Sequence, residues 1–301
     1  MYIYKIIILI FNKKDYIFYM IFKNNITLPI IRFSIASILF FICYVDFVYS
    51  KATKLPDAVT WENDLKPWLY EEAIIKDGSS IMTLSTPYRA LDAAIMPISI
   101  KFHNPQTKKN FITSITIIVD ENPSPVVGKF KTSLKSGNAD LSTRIRIDKY
   151  TYVRAIAETN SGDYFMVVNY VKAAGGCSAP SLTDMDSMMS RLGKMKMKFI
   201  ETGNKGQLNK AKLVISHPNF SGLQFNQLTR TEIPAHFVDK IEISQDNQTI
   251  MKVEADISMS EDPSIMFYYK NSGGPISVII SDTQGSIYKR KWNLNSVLSQ
   301  N

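Results

Sequence analysis

The sequence predicts an all-β fold of two antiparallel β-sandwich domains, joined by a segment that carries a thiol and by one short helix. Three observations support this prediction. Short segments of alternating or β-branched apolar residues follow one another from residue 74 onward. Turn signals separate them, such as those at 122–125, 136–138 and 160–163. A helical pattern separates the two series of strands but interrupts neither, which is typical of sandwiches.

Residues 1–50 read as a signal peptide. Lys23 and Arg32 precede an apolar run, and small residues near Ser50 offer a cleavage site. Met20 is an alternative start, since the preceding residues add nothing that a signal peptide requires. We therefore expect export to the periplasm, cleavage near Ser50, and no stable membrane insertion afterwards. An uncleaved N-terminal anchor is the alternative.

Residues 51–72 predict an N-terminal helical segment that precedes the first domain, called the helical preface below. Trp61, Leu65, Trp68 and Leu69 recur at helical spacing, so they form an apolar stripe. We expect this stripe to pack on the sandwich that follows.

Two series of strands define the domains. The first domain is predicted at 73–180, with strands at 80–87, 96–104, 112–120, 126–134, 140–148, 150–159 and 163–172. The second is predicted at 194–301, with strands at 194–202, 210–217, 236–244, 249–257, 265–271, 276–282 and 286–292. Asp246 and Asn247 predict a tight hairpin in the second domain.

The linker between the two domains is predicted to be a short helix at 181–193. Ser181 and Asp184 have the spacing of a helix-capping pair, and Gly193 is a typical C-terminal stop. The polar residues of this segment predict a largely solvated helix.

One cysteine, Cys177, remains after removal of the targeting segment, because the other, Cys43, lies within it. Exported proteins usually pair or avoid cysteines, so a lone thiol points to a function. The small neighbours Gly175, Gly176, Ser178 and Ala179 predict a flexible arm that leaves the sulfur exposed to solvent. We predict that Cys177 is the functional residue of this protein, on a segment suited to insertion into a narrow cleft of another protein.

The rest of the sequence offers little other chemistry. Its net charge of +8 is spread along the chain, so we predict no nucleic-acid partner. His103, His217 and His236 show no metal-ligand spacing, although the last two could approach one another. We therefore predict no metal site, no cofactor and no catalytic residue. A histidine folded against Cys177 stays open as a catalytic pair.

A set of motifs runs through both predicted domains. In the first domain they are Gly175-Gly176-Cys177, 86–98 and 121–125, and in the second they are 215–218, 220–223 and 233–237. Together they resemble the sulfur-oxidation carrier family SoxYZ, the first set its SoxY subunit and the second its SoxZ subunit. In that family the SoxY subunit ends in an arm that contains Gly-Gly-Cys. The fused, SoxYZ-like members that accompany quinoprotein dehydrogenases are the most similar.

The resemblance implies two immunoglobulin-like sandwiches and a non-enzymatic carrier, with a sulfur-containing intermediate held covalently on Cys177. It implies periplasmic redox enzymes as partners, either Sox-type enzymes or a quinoprotein dehydrogenase. Ser178, Ala179 and Pro180 stand where the family has trailing glycines, and the thiol lies in mid-chain. An arm tethered at both ends bulges but does not thread a tunnel. The alternatives are a thiol-dependent redox enzyme and a non-catalytic β-sandwich assembly module.

Overall fold

A computed structural model describes residues 55–180, 185–226 and 229–293. The described residues from Asp57 onward form one compact unit. The predicted signal peptide lies outside the described residues. Within them, no helix combines the length and the apolar character needed to cross a membrane.

The chain is almost entirely β-structure, which confirms the predicted fold class. The helical elements are a π-helical turn at Trp61–Leu65, α1 at Lys66–Tyr70 and α2 at Met185–Ser190. The first-half strands are β1 Ile75–Asp77, β2 Met82–Ser85, β3 Met96–Phe102, β4 Ile112–Val119, β5 Val126–Thr132, β6 Leu141–Ile145, β7 Thr151–Thr159 and β8 Tyr164–Val171. The second-half strands are β9 Met195–Glu201, β10 Leu208–Ile215, β11 Phe225–Asn226, β12 Thr231–Glu232, β13 Val238–Gln245, β14 Gln248–Ala255, β15 Ser264–Lys270, β16 Ile276–Asp282 and β17 Ile287–Trp292.

Each predicted strand forms, with ends that differ by a few residues. The sequence did not predict β1, β11 and β12, which are two or three residues long and too short for a period to show. The predicted hairpin at Asp246 and Asn247 is confirmed. Both residues have positive φ, 49° and 60°, as a tight turn between twisted strands requires.

The strands form two large facing sheets. The first has the order β1-β8-β7-β4-β5-β14-β13-β16-β17, and the second has the order β2-β3-β6-β15-β10-β9. Each half of the chain thus supplies strands to both sheets, so each half is a sandwich. Nearly all pairs are antiparallel, and the short β1 pairs in parallel with β8.

The two sandwiches join edge to edge and share one core. Strand β5 pairs with β14 along five residues, and β6 meets β15 through Ser142 and Met266. Gly128 lies at the β5–β14 seam, where an added Cβ would stand 2.8 Å from the carbonyl oxygen of Glu254. A single hydrophobic cluster continues from Phe130 in the first half to buried residues of the second half. Burial across this seam ties the halves together.

The helical preface packs on the first sheet as predicted, with one correction. Trp61 and Leu65 are buried against Ile118 and Ile156. Trp68 is 66% exposed, so its predicted place in the buried stripe is wrong. The element starts with a wide π-helical turn, and α1 that follows has only five residues, so the four side chains do not stay on one face.

Helix α2 occupies part of the predicted linker, and residues 181–184 lie outside the described residues. Asp186, Ser187 and Ser190 are exposed, whereas Met188 is buried. Just after the helix, Arg191 donates to Asp262 at 2.7 Å. The linker therefore rests on the second half with one polar face in solvent.

Candidate functional site: the Cys177 segment

The Cys177 segment, residues 172–180, leaves β8 and runs between two other parts of the first half. On one side the N–H of Lys172 donates to the carbonyl oxygen of Tyr88 at 2.8 Å. On the other side the N–H groups of Gly175 and Gly176 donate to the carbonyl oxygens of Asp148 and Ile147, both at 2.8 Å. These hydrogen bonds hold the segment against the sandwich as far as Gly176, and residues 176–178 then form a turn.

The two glycines before the thiol have a packing role that composition alone does not reveal. Gly175 has φ +79°, which favours glycine. An added Cβ on Gly176 would stand 2.1 Å from the carbonyl oxygen of Ala93 and 2.7 Å from that of Ile147. No side chain fits there, so Gly176 lets the segment dock closely enough to bury the next residue.

Cys177 is a free thiol and is fully buried. The prediction that its sulfur is exposed is therefore wrong for the conformation in this structure. The small neighbours do not leave the sulfur open but allow the backbone around it to pack tightly. Ser178, the next residue, is exposed.

The local environment keeps the thiol protonated. Burial raises the pKa of Cys177 to about 12, Asp148 adds to the rise, and Arg146 opposes it. Because the thiolate is the reactive form, the docked thiol is unreactive at neutral pH. Chemistry at Cys177 requires the segment to move.

The second half closes over the segment from the other side. The hydroxyl of Ser221 donates to the carbonyl oxygen of Cys177 at 2.5 Å, and the side-chain amide of Gln224 donates to that of Ala179 at 3.0 Å. Ser221 and Gln224 are both buried. The sequence did not assign them to the site. Ser221 lies in a motif of the second half, but only tertiary contact places it on the thiol segment.

Arg146 lies beneath the same segment, one residue before Ile147. It is 1% exposed, and its Nη1 donates to the carbonyl oxygens of Asn219 and Met259 at 2.7 and 2.8 Å. Arg146 therefore connects the first half to the loop of the second half that carries Ser221. The sequence did not identify it either.

The structure brings His217, His236 and Asp282 together in the second half. The Nε2 atoms of the two histidines lie 3.7 and 3.1 Å from Oδ2 of Asp282, and one ligand atom from each of the three residues lies within 4.8 Å of the others. The N–H of Asn219 donates to Nδ1 of His217 at 3.0 Å, so the proton of the neutral ring is on Nε2. A protonated Nε2 has no lone pair for a metal ion. The cluster is better described as a carboxylate that accepts the N–H of His236 at 3.1 Å. Nε2 of His217 lies 3.7 Å from the same oxygen, buried and without a hydrogen-bond partner among the described residues.

This cluster positions the loop that covers the thiol. Phe220 exchanges backbone hydrogen bonds with His236, and Asn219 accepts a bond from the N–H of Val238. Burial lowers the pKa of His217 to about 4, and His236 adds to the fall. His217 is therefore neutral at neutral pH, and the loop stays in place.

No hydrogen bond joins the sulfur of Cys177 to a histidine within the described residues. His103 lies elsewhere in the first half, exposed, with its two ring nitrogens near Thr83 and Ser80. His217 and His236 face Asp282. The docked conformation thus offers no Cys–His pair.

The fold and the site define a protein of two joined β-sandwiches with a free thiol where the halves meet. A family model described as sulfur oxidation protein SoxY matches residues 68–177, and one described as sulphur oxidation protein SoxZ matches residues 197–293. The chain belongs to the SoxYZ family, as a fusion of a SoxY and a SoxZ domain. The SoxY match ends at Cys177 itself.

Solved structures provide more distant likenesses. The sulfur carrier protein SoxY from Chlorobium limicola f thiosulfatophilum has 22% identity and a TM-score of 0.32, over 38% of this chain and 94% of that one. A superoxide reductase (neelaredoxin) from Ignicoccus hospitalis has 12% identity and a TM-score of 0.28, over 31% of this chain and 78% of that one. A comparison with curated proteins finds no significant match.

Proposed function

We propose that this protein is a periplasmic carrier that holds a sulfur-containing intermediate covalently on Cys177 and presents it to partner redox enzymes. The observation that supports this most is the position of the thiol. Cys177 is the last residue of the SoxY match, and the SoxZ half covers it through Ser221. A Sox-type enzyme or a quinoprotein dehydrogenase would be the partner.

A thiol suits a carrier because a thiolate is both a nucleophile and a leaving group. When the thiol joins a sulfur anion such as thiosulfate through an S–S bond, one proton and two electrons leave the pair. The proton goes to solvent, and the electrons go to the acceptor of a partner redox enzyme. This chain supplies the thiol and needs no cofactor of its own.

Carrying requires an open state, because the docked thiol is buried and protonated. The tethers from Ser221 and Gln224 are side-chain hydrogen bonds, each worth about 1 kcal/mol, so they can break without unfolding a sandwich. The docked state would protect the free thiol from oxidants between encounters. The predicted flexible arm, Gly175, Gly176, Ser178 and Ala179, would move in this opening.

Fusion of the two halves supports the same role. The SoxZ half contributes Ser221 and Gln224 to the site, so the halves must remain together for the thiol to be covered. A single chain gives the two halves a permanently high effective concentration.

The carrier and the thiol-dependent enzyme differ in turnover. Incubation of the purified protein with thiosulfate, with and without periplasmic extract of its own host, distinguishes a carrier from a thiol-dependent enzyme and from an assembly module. A carrier takes up at most one cargo per chain, only with the extract, and Cys177→Ser abolishes uptake. Ser133→Ala, a substitution outside the Cys177 segment, is the matched control and should load normally. Repeated turnover by the purified protein alone would contradict the carrier, and unchanged function of Cys177→Ser would indicate an assembly module.

A further inference from the structure

Strands β9 and β10 carry an unbalanced set of lysines on the outer face of the six-stranded sheet. Together the two strands contain four lysines and one carboxylate, Glu201, which lies 3.6 Å from Nζ of Lys210. The other three, Lys196, Lys198 and Lys212, are called the lysine face below. They point away from the core, because the residues that alternate with them are buried or pack against it. None of the three takes part in an ion pair within the part of the chain that the structure describes.

The outer face of the nine-stranded sheet provides a comparison within the same protein. Strands β5 and β14 also carry three lysines, and each has its nitrogen 2.5 to 3.6 Å from a glutamate oxygen. The pairs are Lys129 with Glu158, Lys131 with Glu254, and Lys252 with Glu242. Lysines on this sheet are therefore neutralised by the chain itself, whereas those of the lysine face are not.

The register of the sheet places two charges of the lysine face directly opposite one another. Lys198 on β9 is the partner of Lys212 on β10. Like charges in opposed positions destabilise a sheet. Lysines often protect an edge strand from unwanted pairing, which accounts for those on β9 but not for Lys212, since β10 is paired on both sides. The arrangement indicates a counter-charge from outside the chain.

The lysine face starts at the end of the second half where the thiol is covered. Just before β9, the carbonyl oxygen of Lys194 accepts from the N–H of Ser216 at 2.8 Å. Ser216 leads directly into the loop that carries Ser221, whose hydroxyl donates to the carbonyl oxygen of Cys177. A protein bound to the lysine face would therefore lie beside the loop that covers the thiol.

We infer that the lysine face docks an acidic protein surface, and that this surface belongs to the redox enzyme that reaches Cys177. The inference rests on the proposed carrier function and adds the charge class of the partner and the place where it binds. Carboxylates on the partner would supply the missing counter-charges. They would also speed the encounter by long-range attraction, which falls as the ionic strength rises.

A lipid surface fits the lysine face less well than a protein does. Proteins that lie on a membrane bury a continuous apolar face beside their cations. On β9 and β10 the exposed large apolar side chains are Ile200 and Leu208, each 41% exposed. Met266 and Tyr268 of β15 lie next to the lysines of β10 and are partly buried. Methionine and tyrosine are enriched at protein–protein interfaces, which favours a protein as the occupant.

Two triple variants with the same change in charge test the inference, one in the lysine face and one in the paired lysines as a matched control. The substitutions are Lys196→Gln, Lys198→Gln and Lys212→Gln in the first, and Lys129→Gln, Lys131→Gln and Lys252→Gln in the control. The probe is polyglutamate, an acidic polypeptide, titrated at low ionic strength. We expect the lysine-face variant to bind about tenfold more weakly than the wild type, and the control to stay within about twofold of it. Added salt should weaken binding by the wild type until it resembles the lysine-face variant.

The melting temperature checks that weaker binding does not come from unfolding. The lysine-face variant should melt at or above the temperature of the wild type, because it no longer has like charges opposed across β9 and β10. The loading of Cys177 from thiosulfate in periplasmic extract then tests whether the partner uses the lysine face. The lysine-face variant should load about tenfold more slowly at low ionic strength, and the control should load at the wild-type rate.

Equal binding of polyglutamate by the two variants would overturn the inference, and so would normal loading by a lysine-face variant that binds weakly. Tighter binding to phosphatidylglycerol vesicles than to polyglutamate would assign the lysines to a membrane and would also overturn it. Self-association of the lysine-face variant with unchanged binding would assign them to edge protection, with the same consequence. The titration needs neither the thiol nor the extract, so Cys177→Ser should bind polyglutamate as the wild type does. Failure of the wild type to load would contradict the carrier function, and the titration would still decide whether the lysine face binds an acidic polypeptide.

Discussion

Removal of the Ser221 hydroxyl tests whether the SoxZ half controls the thiol. At pH 8 a thiol with a pKa of about 12 is ionised in ~1 molecule in 10⁴, against ~1 in 10 for one with the reference pKa of 9.0. The open state is thus ~10³-fold more reactive, so alkylation reports the open population. Ser221→Ala removes the 2.5 Å bond to the carbonyl oxygen of Cys177, worth about 1 kcal/mol. We expect about fivefold faster alkylation of Cys177 by iodoacetamide.

The assay follows the mass of the Cys177 peptide over time in a Cys43→Ser background, with circular dichroism as a check on folding. Ser133→Ala is the matched control, because it removes a serine bond of the same kind, to the carbonyl oxygen of Thr249 at 2.6 Å, also between the halves. It should leave the rate unchanged. Equal acceleration by both variants would mean that the thiol reacts through global loosening, and the local-opening account would be wrong.

Three further predictions follow from the same contacts. Gly176→Ala places a Cβ 2.1 Å from the carbonyl oxygen of Ala93, so the Cys177 segment cannot dock. Alkylation of Cys177 should then be more than about tenfold faster. The far-UV circular dichroism spectrum should stay that of a β-rich protein. His217 is held neutral in the folded protein, with a pKa of about 4 against 6.5 when unfolded. Its contribution to the free energy of unfolding is therefore complete above pH 6.5 and is lost as the pH falls through 4. The free energy measured by urea unfolding should fall by up to about 3 kcal/mol over that window, and by less in His217→Asn. Proteolytic cleavage between residues 180 and 194 should leave the halves associated on a sizing column, because they share two sheets; separation of intact halves would contradict the shared core.

The sequence sufficed for most of the fold because strands and turns have local signatures. Alternation of apolar residues placed each long strand, and Asp246-Asn247 placed a hairpin. The pairing of β5 with β14 had no such signature, because it joins residues more than a hundred positions apart. The sequence therefore predicted two sandwiches but not the way in which their sheets continue into one another.

The site was predictable in its centre but not in its surroundings. Cys177 stood out because it is the one cysteine beyond the predicted targeting segment. Its exposure was misjudged because small residues permit both flexibility and close packing, and only the carbonyl oxygens next to Gly176 decide between them. Arg146 and Ser221 have no local pattern, since an arginine in a strand usually reaches solvent and a serine in a loop usually caps a turn.

The state of Cys177 in the protein isolated from its own host tests the carrier account most directly. Intact mass before and after treatment with a thiol reductant, followed by peptide mapping, shows whether a group is bound and where. We predict a fraction of molecules with added mass that the reductant removes and that maps to Cys177, on a chain that begins near Lys51. A thiol that is always unmodified while the host oxidises sulfur compounds, or sulfur adducts that map elsewhere, would contradict the account.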